Sequence, residues 1–279
     1  MNYWHIARKN IGVYTRAEQE RLRRGRVLIC GLGGVGSYQA ELLARLGVGA
    51  LTCVDAGTFH VSNLNRQALS SVRSVGKRKA CFVAARLREI NPLVAVRAVP
   101  HRITTANAER LVAGHDMVLE AVDNTRTKIV IHEAAKAAGI PSVAVLGGPR
   151  HRGFVSVLLP RGPDYQTVLG IHDKERLAQD THFCNNELQL KSLRVKSALR
   201  DGAPFEWASR FLAGKAPWAT DVLRAHMIAL LAVNEAVSYL TCGEVSAPAP
   251  RAIIINLSRR NMVEVQRPPD GQHWDYGGL

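Results

Sequence analysis

The amino-acid sequence predicts an α/β protein with a Rossmann-like, doubly wound and mostly parallel sheet that carries helices on both faces. First, short apolar segments alternate with segments of helical period between residue 26 and about residue 160, which is typical of a covered parallel sheet. Second, a buried strand, a turn with spaced glycines, a helix and a second strand follow one another in RVLICGLGGVGSYQAELLARLGVGALTCVD. That order predicts a βαβ unit.

The predicted elements then follow along the chain. Residues 14–25 predict a short charged helix that ends at Gly25. After the βαβ unit, residues 75–90 predict an amphipathic helix that ends before Asn91 and Pro92. Four further strands are predicted in AVRAVPHRI, DMVLEAVD, PSVAVLG and FVSVLLP, with helices in ANAERLVAG and TKIVIHEAAKAAG between the first three.

The C-terminal part of the chain has a different character. Residues 161–218 have no clean hydrophobic period and many polar side chains, which predicts a substrate-side insertion or crossover. Residues 219–240 predict an apolar helix, and RAIIINL and MVEVQ a closing hairpin. The expected organisation is an N-terminal helical extension, a Rossmann-like nucleotide-binding domain, and a crossover or substrate region with the late helix and hairpin, at residues 1–25, 26–160 and 161–279.

Composition restricts the class of protein. The 279 residues are 47% hydrophobic and 22% charged, an ordinary globular balance. No run of apolar residues reaches the length of a membrane span, and the N-terminus has no secretion signal, so we expect a cytoplasmic protein with no membrane partner. The five cysteines form no CxxC pair, and we expect Cys30, Cys53 and Cys81 to be small buried side chains.

The chain is strongly basic, with 37 Lys and Arg against 23 Asp and Glu. This balance favours an acidic partner such as a protein, a peptide or nucleic acid, unless it reflects an arginine-rich background. The sequence contains no zinc finger, RNP-type aromatic motif or basic zipper, so nucleic acid is the weaker of these predictions.

The glycine turn predicts a nucleotide site. Gly31, Gly33 and Gly36 give the G-x-G-x-x-G spacing between a strand and a helix, where backbone N–H groups can approach phosphate. Asp55 follows the second strand, where a carboxylate can accept both ribose hydroxyls. These features alone do not separate NAD from ATP.

Three further residues favour ATP over NAD. Arg66 lies in SNLNRQ just beyond Asp55, Lys79 is near the start of the next helix, and Asp123 ends the predicted strand DMVLEAVD. Two cations and an acid that can hold Mg²⁺ are what phosphoryl or nucleotidyl transfer requires, because charge on a leaving pyrophosphate must be neutralised. Hydride transfer has no such requirement.

The order of motifs resembles the E1-like activating enzymes of the ThiF/MoeB/HesA superfamily. The resemblance rests on RVLICGLGGVGS, VDAGTFHVSNLNRQ, VGKRKACFVAARLREINP and DMVLEAVDN…GIPSV, and extends to ALLAVNEAVSYLTCG. It covers about residues 8–160 and the late helix. Members bind Mg-ATP and adenylate a carboxylate, usually on a ubiquitin-like or sulfur-carrier protein.

The resemblance implies a role for each matching residue. Asp55 would hold the ribose, Lys79 would contact the phosphates, and Asp123 would place Mg²⁺ and the α-phosphate. In a homodimer, Arg66 with Asn63 beside it would reach the γ-phosphate of ATP bound mainly in the other subunit. Gly31, Gly33, Gly34 and Gly36 would surround the nucleotide, and Arg8 would be a second arginine supplied in trans.

The chain departs from the family pattern in several places. Two CxxC pairs that hold zinc in many relatives are absent, so we expect no zinc site, and His172, His182 and His273 form no ligand pattern. AGKAPWATD has no cysteine where thioester-forming relatives have one, so Cys184 is either a substitute or an idle thiol, with Lys191 and Lys196 nearby. Lys128 replaces a frequent arginine, and Gly57 replaces a second acid near Asp55.

Three functions remain open at this level. The first is ATP-dependent adenylation of a carboxylate on a carrier protein, a peptide or a small acid, or on a modified tRNA base. The second is an NAD(P)-dependent oxidoreductase. The third is a non-catalytic E1-like subunit that only binds a partner.

Overall fold

Eight strands form one mixed sheet in a computed structural model that describes residues 1–148, 152–170, 195, 198–200, 202–257 and 260–274. The strands are β1 (Arg26–Cys30), β2 (Ala50–Val54), β3 (Ala95–Val99), β4 (Met117–Glu120), β5 (Ser142–Gly147), β6 (Arg152–Leu158), β7 (Ala252–Asn256) and β8 (Val263–Gln266). Their order is β3-β2-β1-β4-β5-β6-β7-β8. The pairs from β3 to β5 are parallel and those from β5 to β8 antiparallel.

The described helices cover both faces of this sheet, as the sequence predicts. They are α1 (Tyr3–Ile6), α2 (Arg16–Arg24), α3 (Gly36–Leu46), α4 (Lys79–Ile90), α5 (Ala108–Val112), α6 (Thr125–Ala137), α7 (Tyr165–Val168), α8 (Phe205–Leu212) and α9 (Val222–Cys242). Apolar residues of α3, α4 and α9 pack with one face of the central strands. Residues of α5 and α6 pack with the other. The predicted doubly wound fold is therefore confirmed.

The C-terminal elements extend the same core. β7 pairs with β6 and α9 lies against α3 and the strands, where Ile228 and Val233 share a buried cluster with Val27. Residues predicted as the third region thus supply part of the core of the second. Among the described helices, α9 is the one with the length and hydropathy of a membrane span, and half of its apolar stretch is buried within the protein, as in a core helix.

Two element boundaries differ from the sequence prediction. α4 begins at Lys79 rather than at residue 75, because Gly76 has a left-handed backbone (φ +82°) and Arg78 is extended. β4 ends at Glu120, so Asp123 lies three residues beyond the strand instead of at its last position. The reason is local, since the Glu120 carboxylate accepts the backbone N–H of Val122 at 2.7 Å and turns the chain away from the sheet.

The cysteine prediction was wrong at one of three positions. Cys30 and Cys53 are buried in the sheet, but Cys81 is exposed. α4 buries the stripe that contains Ala80, Val83 and Leu87, and Cys81 falls on the opposite, solvent side of the helix. Cys184, His172, His182, Lys191 and Lys196 lie outside the described residues.

Candidate nucleotide site

A cleft of about 770 Å³ opens at the carboxyl ends of β1, β2, β4 and β5. β1 is followed by α3 on one face of the sheet, whereas β4, which pairs with β1, is followed by α6 on the opposite face. This reversal is the switch point at which open α/β sheets bind ligands. Among the predicted site residues, those in the lining are Gly31, Gly33, Gly34, Asp55, Asn63, Arg66, Lys79 and Asp123.

The glycine turn is fixed by close backbone contacts. A Cβ on Gly36 would lie 1.8 Å from the carbonyl oxygen of Gly31, and a Cβ on Gly31 would lie 2.6 Å from that of Ala121. A Cβ on Gly33 would instead meet nothing within 4 Å. Gly31 and Gly36 are therefore packing requirements that bring β1, α3 and the end of β4 together, whereas Gly33 leaves open space on the ligand side.

Asp55 connects the end of β2 to this turn. Its Oδ2 accepts the backbone N–H of Leu32 and its Oδ1 that of Gly57, each at 2.7 Å. An ionised carboxylate offers about four acceptor positions, so these two bonds orient the group and leave it able to accept ribose hydroxyls. The ribose role of Asp55 stays a prediction.

Arg66 lines the cleft of its own chain. Its Cγ lies 3.1 Å from the position of a Cβ on Gly34, and its Nη1 donates to the carbonyl oxygen of Ser62 and to Oδ1 of Asn65 at 2.9 and 2.8 Å. Asn63 is buried, and its Oδ1 accepts the N–H of His60 at 3.0 Å. Arg66 therefore lies at the cleft of its own chain, and its service to a neighbouring subunit stays a prediction.

Lys79 supplies the second cation. It is the first residue of α4, its N–H donates to the carbonyl oxygen of Gly57 at 2.9 Å, and its Nζ lies 5.9 Å from the ring centroid of Phe59. Within the described part of the chain no carboxylate pairs with Lys79. The ammonium group is thus available to an anionic ligand at the cleft.

Asp123 supplies the acid. It is exposed at the cleft, and the next residue, Asn124, caps α6 by accepting the N–H of Thr127 at 3.0 Å. In the residues that the structure describes, no three His, Cys, Asp or Glu side chains converge as a metal site. Since Mg²⁺ is commonly held by one or two carboxylates together with substrate phosphates, Asp123 fits a cation shared with a nucleotide.

Lys128 also lines the cleft, but its charge is used internally. Its Nζ donates to both carboxylate oxygens of Glu120 at 2.8 Å and to the carbonyl oxygen of Val145 at 3.0 Å. An ammonium group has three protons, so the protein accepts all of them. Lys128 therefore joins the ends of β4, α6 and β5, and does not act as a free phosphate ligand.

Glu120 is the centre of this arrangement. It is fully buried, and the N–H of Val122 that it accepts precedes Asp123 by one residue. Burial alone would raise the pKa of Glu120, but Lys128 and His132 outweigh burial and hold that pKa below its ordinary value. Burial also lowers the pKa of His132. The ion pair thus fixes the turn that carries Asp123.

Arg8 and His273 lie away from the cleft. The N-terminal segment is held at the C-terminal end of α3, where the Tyr3 hydroxyl donates to the carbonyl oxygen of Gly47 and Asn10 donates to that of Leu46. The glycine turn is at the other end of α3, about 16 Å away along an 11-residue helix. Arg8 is therefore not brought to the site of its own chain. His273 contacts Asp270 in the C-terminal tail.

Several lining residues were not among those predicted from the sequence. His101 and Arg102 follow β3 in the way that Asp55 follows β2, so the end of the strand was a usable signal. Trp218, Thr220 and Arg224 come from the start of α9 and the segment before it. Nothing local in the sequence marks these three, because only tertiary packing brings α9 to the glycine turn.

The fold and the cleft define a Rossmann-like nucleotide-binding protein of the E1-like type. The ThiF family matches residues 7–273, and the chain belongs to that family. It is 40% identical over 125 residues to a sulfur carrier protein adenylyltransferase of Thermus thermophilus, which is 45% of this chain and 46% of the relative. It is 37% identical over 152 residues to the SAMP-activating enzyme E1 of Haloferax volcanii, 54% and 55% of the two chains.

Other similar proteins extend the comparison. A tRNA threonylcarbamoyladenosine dehydratase of Haemophilus influenzae is 36% identical over 137 residues, 49% of this chain and 52% of the relative. The chain thus spans about half the length of the curated relatives it matches. The crystal structure of E. coli MccB with ATP superposes with a TM-score of 0.65 at 19% identity, over 90% of this chain and 65% of that one. At that identity the likeness supports the fold.

The two glycines of the turn give a first prediction. Gly36→Ala should destabilise the protein by about 1–3 kcal/mol, because its Cβ would overlap a backbone oxygen that cannot move independently. Gly33→Ala is the matched control and should unfold at nearly the wild-type urea concentration. Equal stability of the two variants in urea denaturation would contradict the packing argument.

The buried ion pair gives a second prediction. Lys128→Met should cost on the order of 3–5 kcal/mol in the free energy of unfolding at pH 7, because it leaves Glu120 buried and uncompensated. The double variant Glu120→Gln, Lys128→Met should recover much of this loss, since no buried charge then remains.

The pH dependence of these variants serves as the control. The wild-type pair stabilises the fold above the unfolded pKa of Glu120, and this contribution is lost as pH falls through the lowered folded pKa. In Lys128→Met the pKa of Glu120 in the folded state should rise instead. The loss in the free energy of unfolding relative to wild type should therefore shrink as pH falls towards 5. A loss that is the same at both pH values, measured by urea denaturation, would exclude this explanation.

Proposed function

We propose that the protein binds Mg-ATP in the cleft and adenylates a substrate carboxylate, releasing pyrophosphate. The observation that carries this proposal is the meeting of the glycine turn, Asp55, Arg66, Lys79 and Asp123 around one cleft. Membership of the ThiF family and the adenylyltransferase names of relatives support it. Because the chain spans about half of those relatives, the activity stays a proposal for this protein, which we expect to work in the cytoplasm.

The chemistry assigns a task to each side chain. A carboxylate oxygen of the substrate attacks the α-phosphorus, the bond to the bridging oxygen of pyrophosphate breaks, and an acyl-adenylate forms. Asp55 orients the ribose, and Asp123 holds Mg²⁺, which would neutralise phosphate charge when bound. Arg66 and Lys79 stabilise the negative charge that develops on the leaving group. Positioning and charge stabilisation account for catalysis, without covalent participation of the protein.

We further propose that Arg66 works in the site of its own chain and that Arg8 is the residue contributed by a second copy. Arg66 already lines the cleft beside Gly34. Arg8 is held at the far end of α3, where it cannot reach its own cleft. A homodimer would therefore complete the site through Arg8, in place of the exchange of Arg66 that the sequence suggested.

The proposed substrate is the carboxylate of a carrier protein or a peptide. The relatives include a sulfur carrier protein adenylyltransferase and a SAMP-activating enzyme, and E. coli MccB has been crystallised with MccA. A carboxylate on tRNA is the second candidate, since another relative is a tRNA threonylcarbamoyladenosine dehydratase.

ATP–pyrophosphate exchange tests the site assignment. With a panel of carrier proteins and free-acid peptides, wild type should exchange, and Arg66→Ala or Asp123→Ala should lose on the order of 10³ in rate if they act as charge-stabilising groups. Arg73→Ala removes an exposed arginine outside the cleft lining and should leave exchange unchanged. Full exchange by both site variants, or tight binding of NADH in place of ATP, would reject the assignment.

Mixed dimers test which arginine crosses the subunit boundary. Arg8→Ala mixed with Asp123→Ala should recover about a quarter of the wild-type rate, because half of randomly paired dimers are mixed and each holds one intact site. Arg66→Ala mixed with Asp123→Ala should recover nothing, because neither site then has both residues. The reverse pattern would assign the trans role to Arg66.

A further inference from the structure

Two segments carry most of the net positive charge of the chain, and the longer one is residues 73–102. Residues 73–102 contain eight Lys and Arg and a single acid, Glu89. This segment of 30 residues therefore carries seven of the fourteen net positive charges of the 279-residue chain. Residues 8–26 carry five more net charges, but there Glu20 pairs with both Arg23 and Arg24. The charge is therefore uneven along the sequence, and residues 73–102 hold the larger share.

The fold places these residues along one border of the molecule. β3 is the outermost strand of the sheet, and α4 packs beside it. Nη1 of Arg78 donates to the carbonyl oxygen of Pro100 at 3.4 Å, and Nη2 of Arg88 donates to that of Val96. Val96 and Pro100 are four residues apart, so the two guanidinium groups lie about 13 Å from each other along the open strand.

We call this surface the basic edge and define it by Arg73, Lys77, Arg78, Arg86, Arg88 and Arg102. All six side chains belong to exposed residues. In the described part of the chain, the one ion pair that any of them makes joins Arg86 to Glu89. The basic edge therefore presents a row of cations to solvent with almost no internal neutralisation.

The composition of the basic edge favours a polyanion over a folded protein. No large apolar side chain is exposed within residues 78–90 or 95–102, and the three exposed ones nearby, Val72, Val75 and Leu93, lie at the borders of these ranges. Protein interfaces usually have an apolar centre, whereas nucleic-acid interfaces are polar and strongly positive. Six basic residues, five of them arginines with planar forked donors, suit a series of phosphate groups.

The basic edge is also continuous with the nucleotide cleft. Arg102 belongs to both, and Lys79 and His101 line the rim between them. A polyanion that follows β3 and α4 would therefore end at the cleft.

We propose that the basic edge binds the sugar-phosphate backbone of RNA and directs one part of it to the cleft. The proposal does not depend on adenylation, since it rests on the charge and exposure of α4 and β3. Binding would be dominated by phosphate contacts and would carry little sequence preference of its own.

Fluorescence anisotropy with a labelled 20-nucleotide poly(U) RNA tests the proposal. Arg78→Gln, Arg86→Gln and Arg88→Gln are combined in one variant, which leaves the lining of the cleft intact. Its RNA affinity should fall at least tenfold at moderate salt, and the slope of log K against log salt should decrease by about 2, at roughly 0.7 for each lost phosphate contact on a single strand.

A matched variant controls for total charge. Arg21→Gln, Arg23→Gln and Arg24→Gln remove three exposed arginines from α2, outside the basic edge, and should change RNA affinity less than twofold. Calorimetric affinity for Mg-ATP and the unfolding temperature, measured on both variants, exclude general damage to the fold.

Three results would overturn the proposal. The first is an equal loss of RNA affinity in both variants, which would mean that RNA binding depends only on the net charge of the protein. The second is displacement of RNA by poly-glutamate at equal charge concentration, which would assign the basic edge to an acidic protein. The third is unchanged RNA affinity together with increased aggregation of the variant of Arg78, Arg86 and Arg88. That result would mean that these arginines only protect the open edge of β3 against pairing with another chain.

Discussion

The site depends on the contact between Gly36, at the start of α3, and the carbonyl oxygen of Gly31. A Cβ would lie 1.8 Å from that oxygen, so a side chain there would force α3 away from β1. The contact brings the first N–H groups of α3 to the mouth of the cleft, where an anionic group is favoured. It also lets Asp55 accept the N–H of Leu32, so the group suited to ribose and the turn suited to phosphates are fixed to each other.

The buried ion pair of Glu120 and Lys128 fixes the site on the other side of β1, at the end of β4. A charge in the interior is stable only with a partner, and here the partner also holds Val145 on the next strand. The Glu120 carboxylate also accepts the N–H of Val122, and this hydrogen bond sets the turn before Asp123. The family resemblance leads us to expect an arginine at position 128, and the structure accounts for Lys128 as an internal partner of Glu120. The site thus has a steric anchor and an electrostatic one, on adjacent parallel strands.

These anchors leave two kinds of cation at the surface. Arg66 and Lys79 are at the cleft with room for a ligand, whereas the arginines of the basic edge follow the open strand β3. Arg66 and Lys79 are two cations at one cleft, as chemistry at one phosphorus atom requires. The basic edge is extended, as an elongated partner requires. The adenylation that we propose would use both, because the nucleotide is small and a macromolecular co-substrate is not.

By itself the sequence determined the fold class, the element order and one group of the cleft residues, because glycine spacing and strand ends are local signals that any parallel sheet brings to one edge. Gly33, Asp55, Arg66, Lys79 and Asp123 were all named in this way and meet in one cleft. Only the tertiary structure decided what depends on contacts distant in the chain. It turned Lys128 inwards to Glu120 and brought Arg224 of α9 to the cleft that Arg66 also lines. Sequence periodicity identifies which face of a helix is buried, but the partner of a buried charge and the segments that meet at a cleft depend on packing between distant parts of the chain.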